Sequence, residues 1–81
     1  MNKIRVYYDA ACPICQRDRR WYERFPKTTP IDWSDINTQL ELLKAKQIDP
    51  QQALLELHVQ TPEGNVISNI DAYIILFNNI P

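Results

Sequence analysis

Asp9-Ala10-Ala11-Cys12-Pro13-Ile14-Cys15 holds both cysteines of the 81-residue chain and falls where one kind of sequence gives way to another. Ahead of it, Lys3-Ile4-Arg5-Val6-Tyr7-Tyr8 sets β-branched and aromatic residues in partial alternation, the mark of a strand. Behind it, Gln16 to Phe25 contains neither Gly nor Pro and reads as a helix. The cysteines therefore belong to a strand-to-helix turn. The first turn of a helix leaves N–H groups unpaired and carries the positive end of the helix dipole, so a thiol placed there is stabilised as the thiolate. Cys12 is the expected nucleophile. Pro13 suits the first helical position, where its missing N–H costs nothing. Cys15 lies on the same helix face and is spaced to close a disulfide with Cys12. Such a C-x-x-C beside a β-α pattern reads as a redox motif in an intracellular chain. Asp9 is delivered by the strand to the same end of the sheet. Its carboxylate is expected either to take a proton from Cys15 during resolution or to accept only the N–H groups of the turn.

Other uses of two cysteines fit less well. Zinc takes four ligands, and this chain offers Cys12, Cys15 and the distant His58, so a structural zinc site would need a second chain. Covalent haem attachment needs His directly after the second cysteine, where Gln16 stands. A static disulfide across this spacing closes a loop too small to constrain the unfolded chain much. The expected chemistry needs no metal and no bound cofactor.

Composition narrows the partners. Nine basic residues against ten acidic leave a net charge of −1, which argues against nucleic acid or an anionic membrane as the main partner. No apolar run approaches the roughly 20 residues of a membrane span. Met1-Asn2-Lys3-Ile4-Arg5-Val6 lacks the apolar core of a signal peptide, so a cytoplasmic location is expected. There thiols are kept mostly reduced, and a cysteine pair is more often reactive than a staple. At 81 residues the chain reads as one small domain, residues 1–81, near the size where a single core gives marginal stability.

Working outward from the cysteines, the first strand spans 3–8, with Ile4, Val6 and Tyr8 on one face and a Tyr7 side apolar enough to be covered as well. The helix at about 13–25 sets Ile14, Trp21, Tyr22 and Phe25 on one face of a 3.6-residue period, expected to pack on the sheet before Pro26 stops the helix. Arg17, Arg19, Arg20, Arg24 and Lys27 outnumber Asp18 and Glu23 there. They read first as a solvated face, and secondly as a field favouring the Cys12 thiolate. A second strand at 30–34 should pair in parallel with the first, since a helix intervenes. Ser34, Asp35, Asn37 and Thr38 are capping types before a second helix at about 38–47, whose core face carries Leu40, Leu43 and Ile48. Asp49-Pro50 opens a further short turn of helix at 51–55. Leu57 to Thr61 and Val66 to Ser68 alternate as strands around Pro62-Glu63-Gly64-Asn65, a hairpin in which His58 is expected to be structural or solvent-facing. Asn69 or Asp71 can cap a last helix through Asn79, with Ile70, Tyr73, Ile74 and Phe77 as its buried face.

The resulting order, β-α-β-α-β-β-α with C-x-x-C opening the first helix, is similar to the thioredoxin fold in its glutaredoxin-like minimal form. Cys12-Pro13-Ile14-Cys15 resembles the glutaredoxin type of active site. Asp9 with Cys12 and Cys15, Asp35 after the second strand, and Leu57-His58-Val59 through Glu63-Gly64-Asn65-Val66 to Asp71-Ala72 resemble the DCC family of thiol-disulfide oxidoreductases over essentially the whole chain. The resemblance implies an α/β fold with a mixed four-stranded sheet and helices on both faces. It implies thiol-disulfide exchange with protein or low-molecular-weight disulfides and thiols, glutathione or another thioredoxin-like protein supplying electrons. A redox-inactive module that keeps the fold for protein binding is the rival function. The chain departs from the family where Ala10 and the Asn69-Ile70 pair replace customary glycines. Family members also usually continue past the Ile80-Pro81 step, which implies a C-terminally short member. Thioredoxins and glutaredoxins carry a proline just before the third strand, and Leu54 to Leu57 contain none, so substrate docking there is expected to differ.

Overall fold

β1 (Ile4–Tyr8) lies inside a four-stranded sheet, between β2 (Ile31–Asp35) on one side and β3 (His58–Gln60) on the other, with β4 (Val66–Ser68) beyond β3. In this computed structural model, residues 2–81 are described, leaving aside the side chains of Leu40, Leu42, Pro50, Leu54 and Leu55. β1 and β2 run parallel, Ile4 opposite Ile31 and Tyr8 opposite Asp35. The crossover that parallel pairing requires is α1 (Pro13–Glu23). β3 is antiparallel to β1, Tyr7 opposite His58, and β4 is antiparallel to β3, Val59 opposite Ile67. The sheet is mixed, and its architecture is compatible with a thioredoxin-like fold.

Between β2 and β3 the chain forms two short helices, α2 (Leu40–Ala45) and α3 (Pro50–Leu55), so the order carries one more helix than β-α-β-α-β-β-α. The split has local causes. After α2, Gln47 takes φ 58°, and Ile48 N–H closes back on the Leu43 carbonyl at 2.8 Å, a left-handed stop that ends the helix. Asp49 then caps α3, its carboxylate accepting Gln51 N–H at 3.0 Å, with Pro50 in the first turn. The hairpin turn closes through Thr61 N–H to the Asn65 carbonyl and Gly64 N–H to the Thr61 carbonyl, both 2.9 Å. Gly64 sits at φ +95°, and a Cβ there would have room, so the backbone angle is what calls for glycine. α4 (Ile70–Asn78) follows Asn69, whose φ of 64° and ψ of −135° fall where glycine is at ease.

Alternation along β1 divides the core. Ile4 and Val6 join Tyr22 of α1, Val59 of β3, and Ala72 and Leu76 of α4 in one buried cluster. Tyr7 joins Ile36, Leu43 of α2, Ile48 and Ala53 of α3 in another. The Tyr7 side is covered, as its sequence suggested. Leu40, expected on the core face of the second helix, lies outside the described side chains.

Two helix faces differ from expectation. Of the four residues assigned to the sheet side of α1, only Tyr22 is buried; Ile14 is 60 % and Trp21 47 % exposed, and Phe25 is half-buried. The sheet-facing stripe is Cys15, Arg19 and Tyr22, one position round from the apolar one. Arg19 can fill it because its guanidinium lies over the rings of Tyr8 and Trp33, 5.2 and 5.1 Å from their centroids. On α4 the assignment inverts: Ile70, Tyr73, Ile74 and Phe77 are all half or more exposed, and Ala72, Leu76 and Asn79 are buried. α4 is apolar on nearly every side, so periodicity alone does not choose its inner face.

Candidate active site

The site is built at the carboxyl end of β1, where the chain leaves the sheet at Tyr8 and turns into α1. The turn is closed by Cys12 N–H on the Asp9 carbonyl at 3.1 Å and by Ala11 N–H on Asp9 Oδ1 at 2.9 Å. The Gln16 side chain donates to the Ala10 carbonyl. Cys12 is the N-cap, with extended backbone, and its carbonyl accepts the first helical bond from Gln16 N–H at 3.0 Å. Pro13 occupies the first turn, as its fixed φ allows.

Cys12 and Cys15 are free thiols, both half-buried. Their environments differ in sign. The Cys15 backbone N–H and then the Cys15 thiol act on the Cys12 sulfur and draw it below the ordinary thiol range; slight desolvation and the Asp9 charge oppose them, and the Ile14 N–H assists. No side-chain cap bond of full geometry forms at Cys12, so these N–H groups act mainly as dipoles of the open helix end. Burial pushes the Cys15 thiol up, and its proton shared toward Cys12 pushes it further, against the Asp9 N–H, which favours the thiolate. One sulfur is poised to ionise while its neighbour keeps its proton.

The arginines of α1 are not among the groups acting on either sulfur. Arg19 instead bonds the Tyr8 hydroxyl and meets Glu23 Oε1 at 2.9 Å. Trp33 stands edge-on to both Tyr8 and Tyr22. Sequence reading missed this Tyr8, Arg19 and Trp33 stack, whose only local signal is a cation one turn beyond Cys15. Beside it, a groove of about 220 Å³ has Cys15 and Asp9 in its wall together with Trp21, Trp33, Tyr73 and Phe77. Glu56 and Leu57, just before β3, also line it, at the place where thioredoxins carry proline.

The second loop at this end is acidic and amidic. Asp35 Oδ1 accepts Ala10 N–H at 3.2 Å and Asn37 N–H at 3.1 Å, and the Asn37 amide reaches both Asp35 and Asp9. Asn37 therefore serves the turn and not the start of α2, where the backbone of Gln39 takes the first helical bond. His58 stands apart, buried in β3 with Nδ1 3.0 Å from the Glu56 carbonyl, a structural placement. Among the described residues no three His, Cys, Asp or Glu side chains gather as a cation site, and no helix is long and apolar enough to cross a membrane.

No curated protein and no solved structure matches the chain. A family model, DCC1-like thiol-disulfide oxidoreductase, matches residues 6–81, from the middle of β1 through the cysteine turn to the last residue. With the match running over nearly its whole length, the chain belongs to the DCC1-like thiol-disulfide oxidoreductase family.

Proposed function

We propose that this is a thioredoxin-like thiol-disulfide oxidoreductase of one domain, residues 1–81, with helices on both faces of its sheet. Cys12 attacks and Cys15 resolves. The observation that carries this assignment is the opposed displacement of the two thiols, Cys12 toward the thiolate at the open end of α1 and Cys15 toward the protonated form beside it. The Cys12 thiolate attacks one sulfur of a substrate disulfide, forming a mixed disulfide and expelling the other sulfur as thiolate. With the Cys12 charge consumed, Cys15 gives up its proton and attacks Cys12, releasing the second substrate thiolate and leaving a Cys12–Cys15 disulfide. Two electrons have passed to the substrate. Asp9 is the proposed proton acceptor for Cys15, being the carboxylate whose charge acts on both sulfurs. Two thiol equivalents, from glutathione or a thioredoxin-like protein, restore the dithiol, a cycle suited to the reducing cytoplasm.

The exposed apolar stripe of α4 favours a second reading, a module that binds a protein partner without turnover. Reduction of insulin by dithiothreitol at substoichiometric protein separates the two. Catalysis that disappears in Cys12→Ser supports exchange, and a wild-type protein no faster than dithiothreitol alone leaves the binding module.

A further inference from the structure

One side chain touches both loops at the cysteine end of the sheet. The Asn37 amide nitrogen donates to Asp9 Oδ1 at 2.8 Å and to Asp35 Oδ1 at 2.9 Å. An amide NH2 has two protons, so both bonds come from one nitrogen, and the orientation is fixed, because turned over the amide oxygen would face two carboxylates. The acceptors in turn hold the active-site turn. Asp9 Oδ1 takes Ala11 N–H at 2.9 Å, and Asp35 Oδ1 takes Ala10 N–H at 3.2 Å. Two successive backbone N–H groups just ahead of Cys12 are thus tied to two carboxylates that share a single amide.

We propose that Asn37 is a positioning residue for the cysteine pair, clamping the Asp9 carboxylate beside the Cys12 turn with Asp35 as its second anchor. The assignment rests on the thiol chemistry proposed for Cys12 and extends it to a residue on another loop. Like charges held so close repel, and the NH2 between them offsets that repulsion, while the Ala11 and Ala10 N–H groups keep the two carboxylates at the turn. Asp35 records the support. Desolvation would raise it, yet the N–H groups of Asn37 and Ala10 and the Asn37 amide hold it below the usual carboxylate range. Asp9 is the negative charge that opposes the Cys12 thiolate. The positive end of the Asn37 amide dipole lies against that charge and offsets part of what Cys12 feels. Asn37 is exposed, so replacing it removes no core contact.

The test is the rate of Cys12 alkylation by iodoacetamide against pH, read by mass spectrometry of the Cys12 adduct in the reduced protein. In Asn37→Ala the midpoint moves up by about 0.5 unit or more, close to a threefold loss of rate near neutral pH. Asn37→Asp, which adds a third carboxylate, moves it farther. In an Asp9→Ala background the Asn37→Ala change moves nothing, because Asn37 acts through Asp9. A midpoint unmoved in both single variants, whatever their melting temperatures, overturns the proposal, as does an equal shift with and without Asp9. Alkylation needs no substrate, so the role of Asn37 is decided even in a protein that fails to reduce insulin, and an unmoved midpoint leaves the exchange reaction to be judged by turnover.

Discussion

A thiolate next to a thiol is useful only if the two ionise in a fixed order, and at Cys12 and Cys15 the order follows from which sulfur meets the open helix end. Cys12 lies below the ordinary thiol range and Cys15 above it, so over the pH interval between them only Cys12 is ionised. Alkylation followed from mildly acid to alkaline pH should label Cys12 first; faster reaction at Cys15 below neutral pH would reverse the roles. Asp9→Asn keeps an acceptor for Ala11 N–H and removes the charge that raises both thiols. Its Cys12 midpoint should fall. An amide cannot take a proton, so resolution by Cys15 should slow more than attack by Cys12 in stopped-flow measurement of the mixed disulfide. Both steps unchanged, with only the melting temperature lowered, would reduce Asp9 to a turn residue. The Cys12 cap and Pro13 were legible from spacing, because capping is a local matter. Asn37 was legible only as a capping type ahead of the second helix, since its carboxylate partner Asp9 stands 28 residues away and no short-range pattern encodes that meeting.

Strands announced themselves better than helix faces did. β1, β2 and the hairpin appear within a residue or two of their expected bounds, since β-branched alternation and a single glycine turn are short-range signals. On α1 a cation displaced apolar residues from the sheet side. Arg19 gains the faces of Tyr8 and Trp33, and Trp21, left outside, pairs edge-on with Phe25 at 4.8 Å. A count of hydrophobic positions cannot see that exchange. On α4 the small Ala72 and the polar Asn79 point inward while larger apolar residues face out. Neighbouring substitutions test this directly. Leu76→Ala should cost about 2–4 kcal/mol in denaturant unfolding, since Leu76 is 8 % exposed inside the first cluster. Phe77→Ala, at a residue 54 % exposed, should cost under about 1 kcal/mol. The reverse ranking would restore the face suggested by the sequence.

The whole chain is closed by its last helix, and the closure turns on one buried amide. Asn79 Oδ1 accepts Thr29 N–H at 2.8 Å, its Nδ2 donates to the Thr29 carbonyl at 2.9 Å, and its own carbonyl accepts Thr28 N–H at 2.8 Å. The helix end is thereby fastened to the segment that leads into β2. Tyr22 of α1 adds its hydroxyl to the Leu76 carbonyl at 2.7 Å, beside the same amide. Strand order could be argued from the sequence by crossover rules, but this fastening joins positions 50 residues apart and left no local trace. Asn79→Ala strips both side-chain bonds to Thr29 and leaves the Thr29 N–H and carbonyl without partners in a partly buried place, which should cost about 2–3 kcal/mol. Asn78→Ala, the same change one residue earlier on the exposed side, should stay within about 0.5 kcal/mol and serves as the control. The denaturant slope carries the rest of the argument. If α4 is integral to one cooperative unit, Asn79→Ala lowers the midpoint with the slope unchanged, because the same surface is exposed on unfolding. If α4 opens ahead of the sheet, the slope falls and amide exchange in α4 quickens while that of β1 and β3 holds. With Ala72 and Leu76 buried in the cluster that also holds Val6 and Val59, the expected outcome is the first.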